Sequence, residues 1–371
     1  MGLPHTTGYL WVLLKCCLMV PRTRLNVNDT TAAARDGGAY AAAGVDIDAG
    51  ERAVALMHAS VRATYTPDVL GDVGAFGALY RSPGAAGQVL VSSTDSVGTK
   101  VKVAIALGRH EGIGRDLVHH CIDDILTVGA RPLFFLDYLG VGKLVPETVA
   151  QIVGGLAEAC RQHGVALIGG ETAELPDLYA PGDYDLAGFI VGVVAEHEIV
   201  DGHATRAGDM VIGLPSDGLH TNGYTLARRV FAASDLCAHV PALGGRLGDE
   251  LLRPHRCYLP EVGPLLGRGL IKGMAHITGG GLPGNLPRAL PAALGVALDQ
   301  EALSVPPIFH LIEETGAVPR AEMYRVFNMG IGFALVCAPA SRDEIVSAVA
   351  GARVIGRVVS CPGGERVLGL P

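Results

Sequence analysis

Basic charge, aromatic rings and long apolar runs are all in short supply. The chain carries 29 Lys and Arg against 37 Asp and Glu, a formal net charge of −8. A field of that sign gives no pull toward DNA, RNA or an anionic lipid surface. Aromatic residues make up 5%, with one Trp, which argues against a platform that stacks bases. The eight cysteines (Cys16, Cys17, Cys121, Cys160, Cys237, Cys257, Cys337 and Cys361) form no C-x-x-C pair. That usage predicts reduced thiols in a cytoplasmic protein rather than a local zinc knuckle. The apolar run over residues 8–20 is too short to cross a bilayer, and Arg22 and Arg24 follow it rather than precede it. It therefore fits neither a membrane span nor a signal peptide, and residues 1–37 are expected to be a dispensable extension. A Walker A loop and any short-period repeat are also missing.

What is present suits an enzyme. In 371 residues, 49% hydrophobic, with 51 Gly and 22 Pro, there is room for two domains with separate cores and many tight turns. Apolar runs at 89–91, 133–136, 165–168, 189–194 and 210–214 predict strands, and helices are expected over 51–64, 115–128, 147–163 and 223–233. The polar turn Thr205-Arg206-Ala207-Gly208-Asp209 sets a boundary between domains at 38–204 and 205–371. The class is α/β (α+β).

Three of those strands are expected to end in an acid: Asp95, Asp137 and, through Gly169-Gly170, Glu171. Beyond the carboxyl ends of parallel strands is where ligands bind. On the helix over 115–128, a period of about 100° puts Asp124 about 20° outside the apolar arc and Asp123 on the solvent side. A carboxylate at the core edge needs a cation or a donor. Asp95, Asp124 and Glu171 therefore become candidate Mg²⁺ ligands. Lys100, in Val97-Gly98-Thr99-Lys100, is a candidate to neutralise a phosphoryl group. The adjacent His119, His120 and Cys121 diverge around the helix and cannot chelate as a trio. His220 and Asn222, at the next strand end, suit proton exchange and an amide contact. The glycines Gly279-Gly280-Gly281 leave backbone N–H groups bare for a phosphate, with Asn285 and Arg288 following.

The segments Tyr40-Ala41-Ala42-Ala43-Gly44-Val45-Asp46, Thr94-Asp95 with Gly98-Thr99-Lys100, Pro132-Leu133-Phe134-Phe135-Leu136-Asp137-Tyr138, Gly169-Gly170-Glu171-Thr172-Ala173-Glu174, His220-Thr221-Asn222-Gly223-Tyr224, Ile277-Thr278-Gly279-Gly280-Gly281 and Glu322-Met323-Tyr324-Arg325-Val326-Phe327-Asn328 resemble, in order, the motifs of the phosphoribosylformylglycinamidine cyclo-ligase (aminoimidazole ribonucleotide synthetase) family. The resemblance implies two mixed-sheet domains, a homodimer, and ATP-dependent closure of formylglycinamidine ribonucleotide to 5-aminoimidazole ribonucleotide, with ADP and phosphate released. It further implies Asp46, Thr94, Asp95, Gly98, Thr99, Lys100, Gly279 and Gly280 as nucleotide contacts, Lys100, His220 and Asn222 as catalytic residues, and Mg²⁺ on Asp95, Asp124 and Glu171. Four positions depart from the usual pattern: Ala41 stands for a frequent lysine, Ser93 and Ser96 for frequent glycines, and Asp123 for a frequent asparagine. Related ATP-using enzymes are the alternative, thiamine-monophosphate kinase and selenophosphate synthetase among them. The segments at His220 and Tyr324 favour the cyclo-ligase. Retention of the acids argues against a silent nucleotide-binding protein.

Overall fold

The computed structural model describes residues 38–72, 74–361 and 363–371. The extension expected over residues 1–37, with Cys16 and Cys17, lies outside the described residues. None of the described helices is long and apolar enough to cross a membrane.

Two sheets organise the chain. The first holds β1 (Ala78–Arg81), β2 (Gln88–Ser96), β3 (Arg131–Val141), β4 (Ala166–Glu174) and β5 (Tyr184–Ala195), in the order β1-β2-β5-β3-β4. The second is built from β6 (Met210–Pro215), β9 (Ile271–His276), β10 (Leu294–Leu298), β11 (Ile331–Cys337), β12 (Arg353–Ser360) and β13 (Val367–Leu368), in the order β13-β10-β12-β6-β11-β9. A short ribbon pairs β7 (His239–Val240) with β8 (Gly245–Arg246). Only β3 with β4 and β10 with β13 run parallel. Both sheets are therefore mixed and mostly antiparallel, as the family resemblance implies. Apolar runs alone carry no information on strand direction.

The expected strand ends also move. Asp137 and Glu171 sit inside β3 and β4, and only Asp95, one residue short of the end of β2, is near a terminus. Polar residues continue these strands because the ladder hydrogen bonds do not need apolar side chains. Residues paired in register share a face. Asp95, Gly188 and Asp137 form one row, and Ser96, Ala187, Tyr138 and Glu171 form a row on the opposite face.

The helices Glu111–Leu126 and Pro146–Gln162 cover the first of these faces. They cross backbone to backbone. A Cβ on Gly114 would lie 2.1 Å from Ile152 O, and one on Gly155 2.0 Å from Glu111 O, so only glycine allows the approach. The other face bears exposed Tyr80, Ile168 and Phe189. The Glu111–Leu126 helix is also covered from behind. Leu126 joins Ile212, Leu214, Tyr258 and Phe333 in a core shared with the second sheet, and 13 of its 16 residues are buried. Ala39, Tyr40, Ala43 and Phe76, early in the chain, pack on the core of the second half.

Candidate active site

The site is a seam where the Glu111–Leu126 helix and β2 meet four segments of the second half. Asp95 is 38% exposed, and its Oδ2 lies 2.7 Å from His120 Nε2. His120 Nδ1 is 2.7 Å from Thr221 Oγ1, which is 3.4 Å from His255 Nδ1. The Nε2 atoms of His255 and His276 are 3.1 Å apart, and His276 Nδ1 is 2.9 Å from Asp124 Oδ1. Asp124 Oδ2 accepts from Ser93 Oγ at 3.0 Å. A continuous polar chain thus leaves β2 at Asp95, passes through the second half and returns to β2 at Ser93. Ser93 is no intruder on the site but a donor to Asp124.

Burial and charge oppose each other along this chain. Burial pulls the His120 imidazole down, but the neighbouring Asp95 outweighs it, with Asp124 and Asp123 adding, and His120 rises to about 9. Burial would raise Asp95, yet the same pair, with the Ser96 N–H, holds it below the usual carboxylate value. Asp95 and His120 are an ion pair at neutral pH. His220 and His255 go the other way: burial pushes both well below 6.5, and the neighbouring imidazoles, joined at His220 by Lys100 and Arg256, push further. The expected proton exchange at neutral pH does not suit a group in that state, and His220 stands as a neutral imidazole.

Asp123 was expected to face solvent. It is fully buried, because the second half lies over that side of its helix, and its Oδ1 accepts the Tyr258 N–H at 2.8 Å. Burial raises its pKa well above the ordinary value.

The turn bearing His220 is held from below by the last of the sequence motifs. Ser216 Oγ donates to Asn328 Oδ1 at 2.9 Å, and Asn328 Nδ2 donates to Gly218 O at 3.0 Å. His220 itself takes a left-handed backbone, φ +60°, a strained state for a residue with a Cβ. Gly223 ends the turn at φ +78°, and a Cβ there would sit 2.1 Å from the Phe327 ring. Asn222 Oδ1 would lie 3.3 Å from a Cβ on Gly279, so Asn222 and the Gly279–Gly280 loop form one wall. Asn285 braces that loop by donating to the carbonyls of Thr278, Gly279 and Gly281.

Lys100 does not reach this wall. Its side chain is fully buried, with Nζ 2.6 Å from Asp116 Oδ2 and 2.6 Å from Arg253 O. Asp116 Oδ1 accepts the His255 N–H at 2.7 Å. The lysine therefore clamps the two halves and sets His255, and no phosphate can replace these partners without stranding a buried acid. Arg288 is a second cation near the acids. It stacks on Phe76, donates to Asn285 Oδ1 at 3.1 Å, and the charges of Asp124 and Asp95 partly offset the lowering of its pKa by burial. In the sequence Arg288 is only a neighbour of the glycines; its distance in the chain from the two acids conceals the rest.

Glu171 is not gathered with Asp95 and Asp124. Three strand spacings along their shared row separate it from Ser96, roughly 14 Å at the usual spacing, and it lies exposed on the other face of the sheet. Thr94 is on that open face too. Gly98 packs near Thr221 O, and Thr99 Oγ1 is 2.9 Å from Thr225 Oγ1. Asp46 caps the Ile47–Arg62 helix by accepting the Ala49 N–H at 2.8 Å. It lines a separate cavity of about 410 Å³ with Tyr40, Ala41, Asp48, Glu322 and Arg325. There the first and last motifs meet: Tyr40 N–H donates to Glu322 at 2.6 Å, and Arg325 pairs with Asp48.

Asp95 and Asp124 fit a hard cation. An ionised carboxylate offers about four lone-pair sites, and the contacts above leave some of these free on each. Asp95 also opens to solvent.

Comparison with known proteins agrees across the chain. A family model described as AIR synthase related protein, N-terminal domain, matches residues 74–194, and one described as AIR synthase related protein, C-terminal domain, matches residues 206–369. Phosphoribosylformylglycinamidine cyclo-ligase of Desulfitobacterium hafniense is 51% identical over 316 residues, 83% of this chain and 92% of that protein. The protein of the same name from Carboxydothermus hydrogenoformans is 50% identical over 336 residues, 88% of this chain and 97% of the relative. Among solved structures, thiamine monophosphate kinase from Aquifex aeolicus aligns with a TM-score of 0.58 at 17% identity, over 85% of this chain and 95% of its own. That likeness is one of fold.

Proposed function

The chain belongs to the phosphoribosylformylglycinamidine cyclo-ligase family, and from that premise we propose how its interdomain seam serves the reaction. It is an enzyme of purine biosynthesis that closes formylglycinamidine ribonucleotide to 5-aminoimidazole ribonucleotide. Attacker and electrophile are parts of one substrate, so the protein's work is mainly orientation and charge management.

ATP would transfer a phosphoryl group to the formyl-derived amide oxygen. The amidine nitrogen then attacks that carbon, the carbon–oxygen bond breaks with phosphate leaving, and the five-membered ring forms. Asp95 and Asp124 would hold Mg²⁺, which when bound neutralises the phosphates and aligns the transfer. His120 keeps Asp95 ionised, and Ser93 and His276 aim Asp124. Arg288 and the bare N–H groups at Gly279 and Gly280 would meet the transferring phosphoryl group. Asn222 contacts the amide portion. His220, buried and set in a strained turn, shapes the wall that carries Asn222 rather than acting as a cation. The observation that carries this reading is the polar chain joining Asp95 to Asp124 beside the wall of Asn222 and the two glycines.

Pairing of two chains through the open face of the first sheet completes the proposal. Ile168 is 60% and Phe189 45% exposed there, more than a lone sheet face normally leaves to water. Glu171 and Thr94 lie on that face, so either would reach a nucleotide only across such a pair.

The test supplies purified protein with Mg²⁺, ATP and formylglycinamidine ribonucleotide. The expected products are an aromatic amine, ADP and phosphate in equal amounts. ATP binding without cyclisation, or turnover confined to thiamine monophosphate, would overturn the reading.

A further inference from the structure

A second set of donors meets behind the site described above. His255 and His276 are 1% and 0% exposed, and Asp123 is 0%. Asp124 takes the proton of His276 Nδ1, which leaves Nε2 with its lone pair directed at His255 Nε2, 3.1 Å away. Asp123 Oδ2 lies 3.5 Å from the same His255 nitrogen, and the Cys257 thiol is a hydrogen-bonding neighbour of the carboxyl group. His220 stacks on His255 with ring centroids 4.1 Å apart, and its buried Nδ1 is without a partner. One ring nitrogen from each of His220, His255 and His276 falls within a 4.8 Å group.

Around a tetrahedral ion with bonds of about 2.0–2.1 Å, donor atoms sit roughly 3.3–3.4 Å apart, close to the two spacings here. Imidazoles with a single carboxylate suit Zn²⁺ and its neighbours, whereas Mg²⁺ prefers oxygen alone. The Asp124–His276 contact is the outer partner that metal-bound histidines commonly have.

We propose that His220, His255 and His276, with Asp123 beside His255, form a Zn²⁺-class site that ties the first half of the chain to the second. It goes beyond the cyclisation reading and is separate from the Mg²⁺ ascribed there to Asp95 and Asp124. His255 ligates through Nε2 with its Nδ1 proton turned to Thr221 Oγ1. His220 Nε2 accepts from Asp217 N at 3.1 Å, so ligation by Nδ1 requires the other tautomer and gives up that contact. It is the weakest of the four donors.

The test uses Co²⁺ as a spectroscopic probe on the chelator-treated full chain. One equivalent per chain, with the visible absorption of a four-coordinate nitrogen–oxygen site, is expected to be displaced by Zn²⁺ and to survive excess Mg²⁺. His255→Gln should weaken binding by more than the roughly 100-fold that loss of an outer partner produces. Asp123→Asn keeps the oxygen facing Tyr258 N and should also weaken it; this variant carries the test if His255→Gln does not fold. Absence of the absorption in the parent chain, displacement by Mg²⁺ as readily as by Zn²⁺, or unchanged affinity in folded Asp123→Asn would each overturn the proposal.

Discussion

Lys100→Met separates two accounts of one lysine. In the structure its ammonium is 0% exposed and sits 2.6 Å from both Asp116 Oδ2 and Arg253 O. Burial lowers its pKa and raises that of Asp116, while their mutual attraction opposes both shifts. Methionine matches the length but leaves Asp116 charged or protonated in an apolar slot, and Arg253 O without its donor. Removing one partner of such a pair costs about 3–5 kcal/mol. At about 2.1 cal/mol/K per residue, a chain of this length melts roughly 4–6 °C lower for that loss. Urea titration and thermal melting measure the stability; kcat and KM for ATP, taken well below the melting range, measure the chemistry. The expected result is a large stability loss with kcat changed by far less than the ~100-fold typical of a lost charge-stabilising donor. Adding Asp116→Leu to Lys100→Met should return part of the stability, since an apolar pair can replace a buried ionic one. A Lys100→Met protein as stable as the parent, with kcat/KM for ATP reduced ~100-fold or more, would refute the clamp and restore the phosphate role.

Asp95→Asn should lower kcat by at least ~100-fold with little change in melting temperature, since Asp95 is part-exposed; near-normal kcat would take it out of the metal site. Stability should peak near neutral pH. Below the unfolded value of 6.5 the unfolded chain binds protons that buried His119, held at about 4, refuses, a loss approaching about 3 kcal/mol from that ring alone. His120 acts in the opposite sense: with a folded value of about 9, its contribution is complete below 6.5 and disappears as pH rises through 9, reduced by the solvent that reaches Asp95. Urea midpoints measured from pH 4 to 10 that are flat would contradict both. Asn328→Ala frees the turn that carries His220 and should raise KM for the ribonucleotide more than it lowers melting temperature, as read by steady-state kinetics. Phe189→Asp should shift sedimentation from a pair of chains to one; an unchanged profile would exclude the open sheet face as the contact.

Much of this protein follows from local pattern. The apolar runs marked β2, β3, β5 and β6, and the helical period marked Glu111–Leu126, because burial against one neighbour leaves a periodic trace. The motif order was sufficient to recognise the family. Strand direction, the fate of Asp123 and the partner of Lys100 left no such trace. Asp123 lies on what looks like a polar face only while its helix is taken to have one covered side; the second half of the chain supplies the other. The histidines His120, His255 and His276 are separated by 135 and 21 positions in the chain, and nothing local draws them together. Their meeting is decided by two cores closing on each other, and it is that long-range packing, desolvating charge on both sides, that turns scattered polar residues into a site.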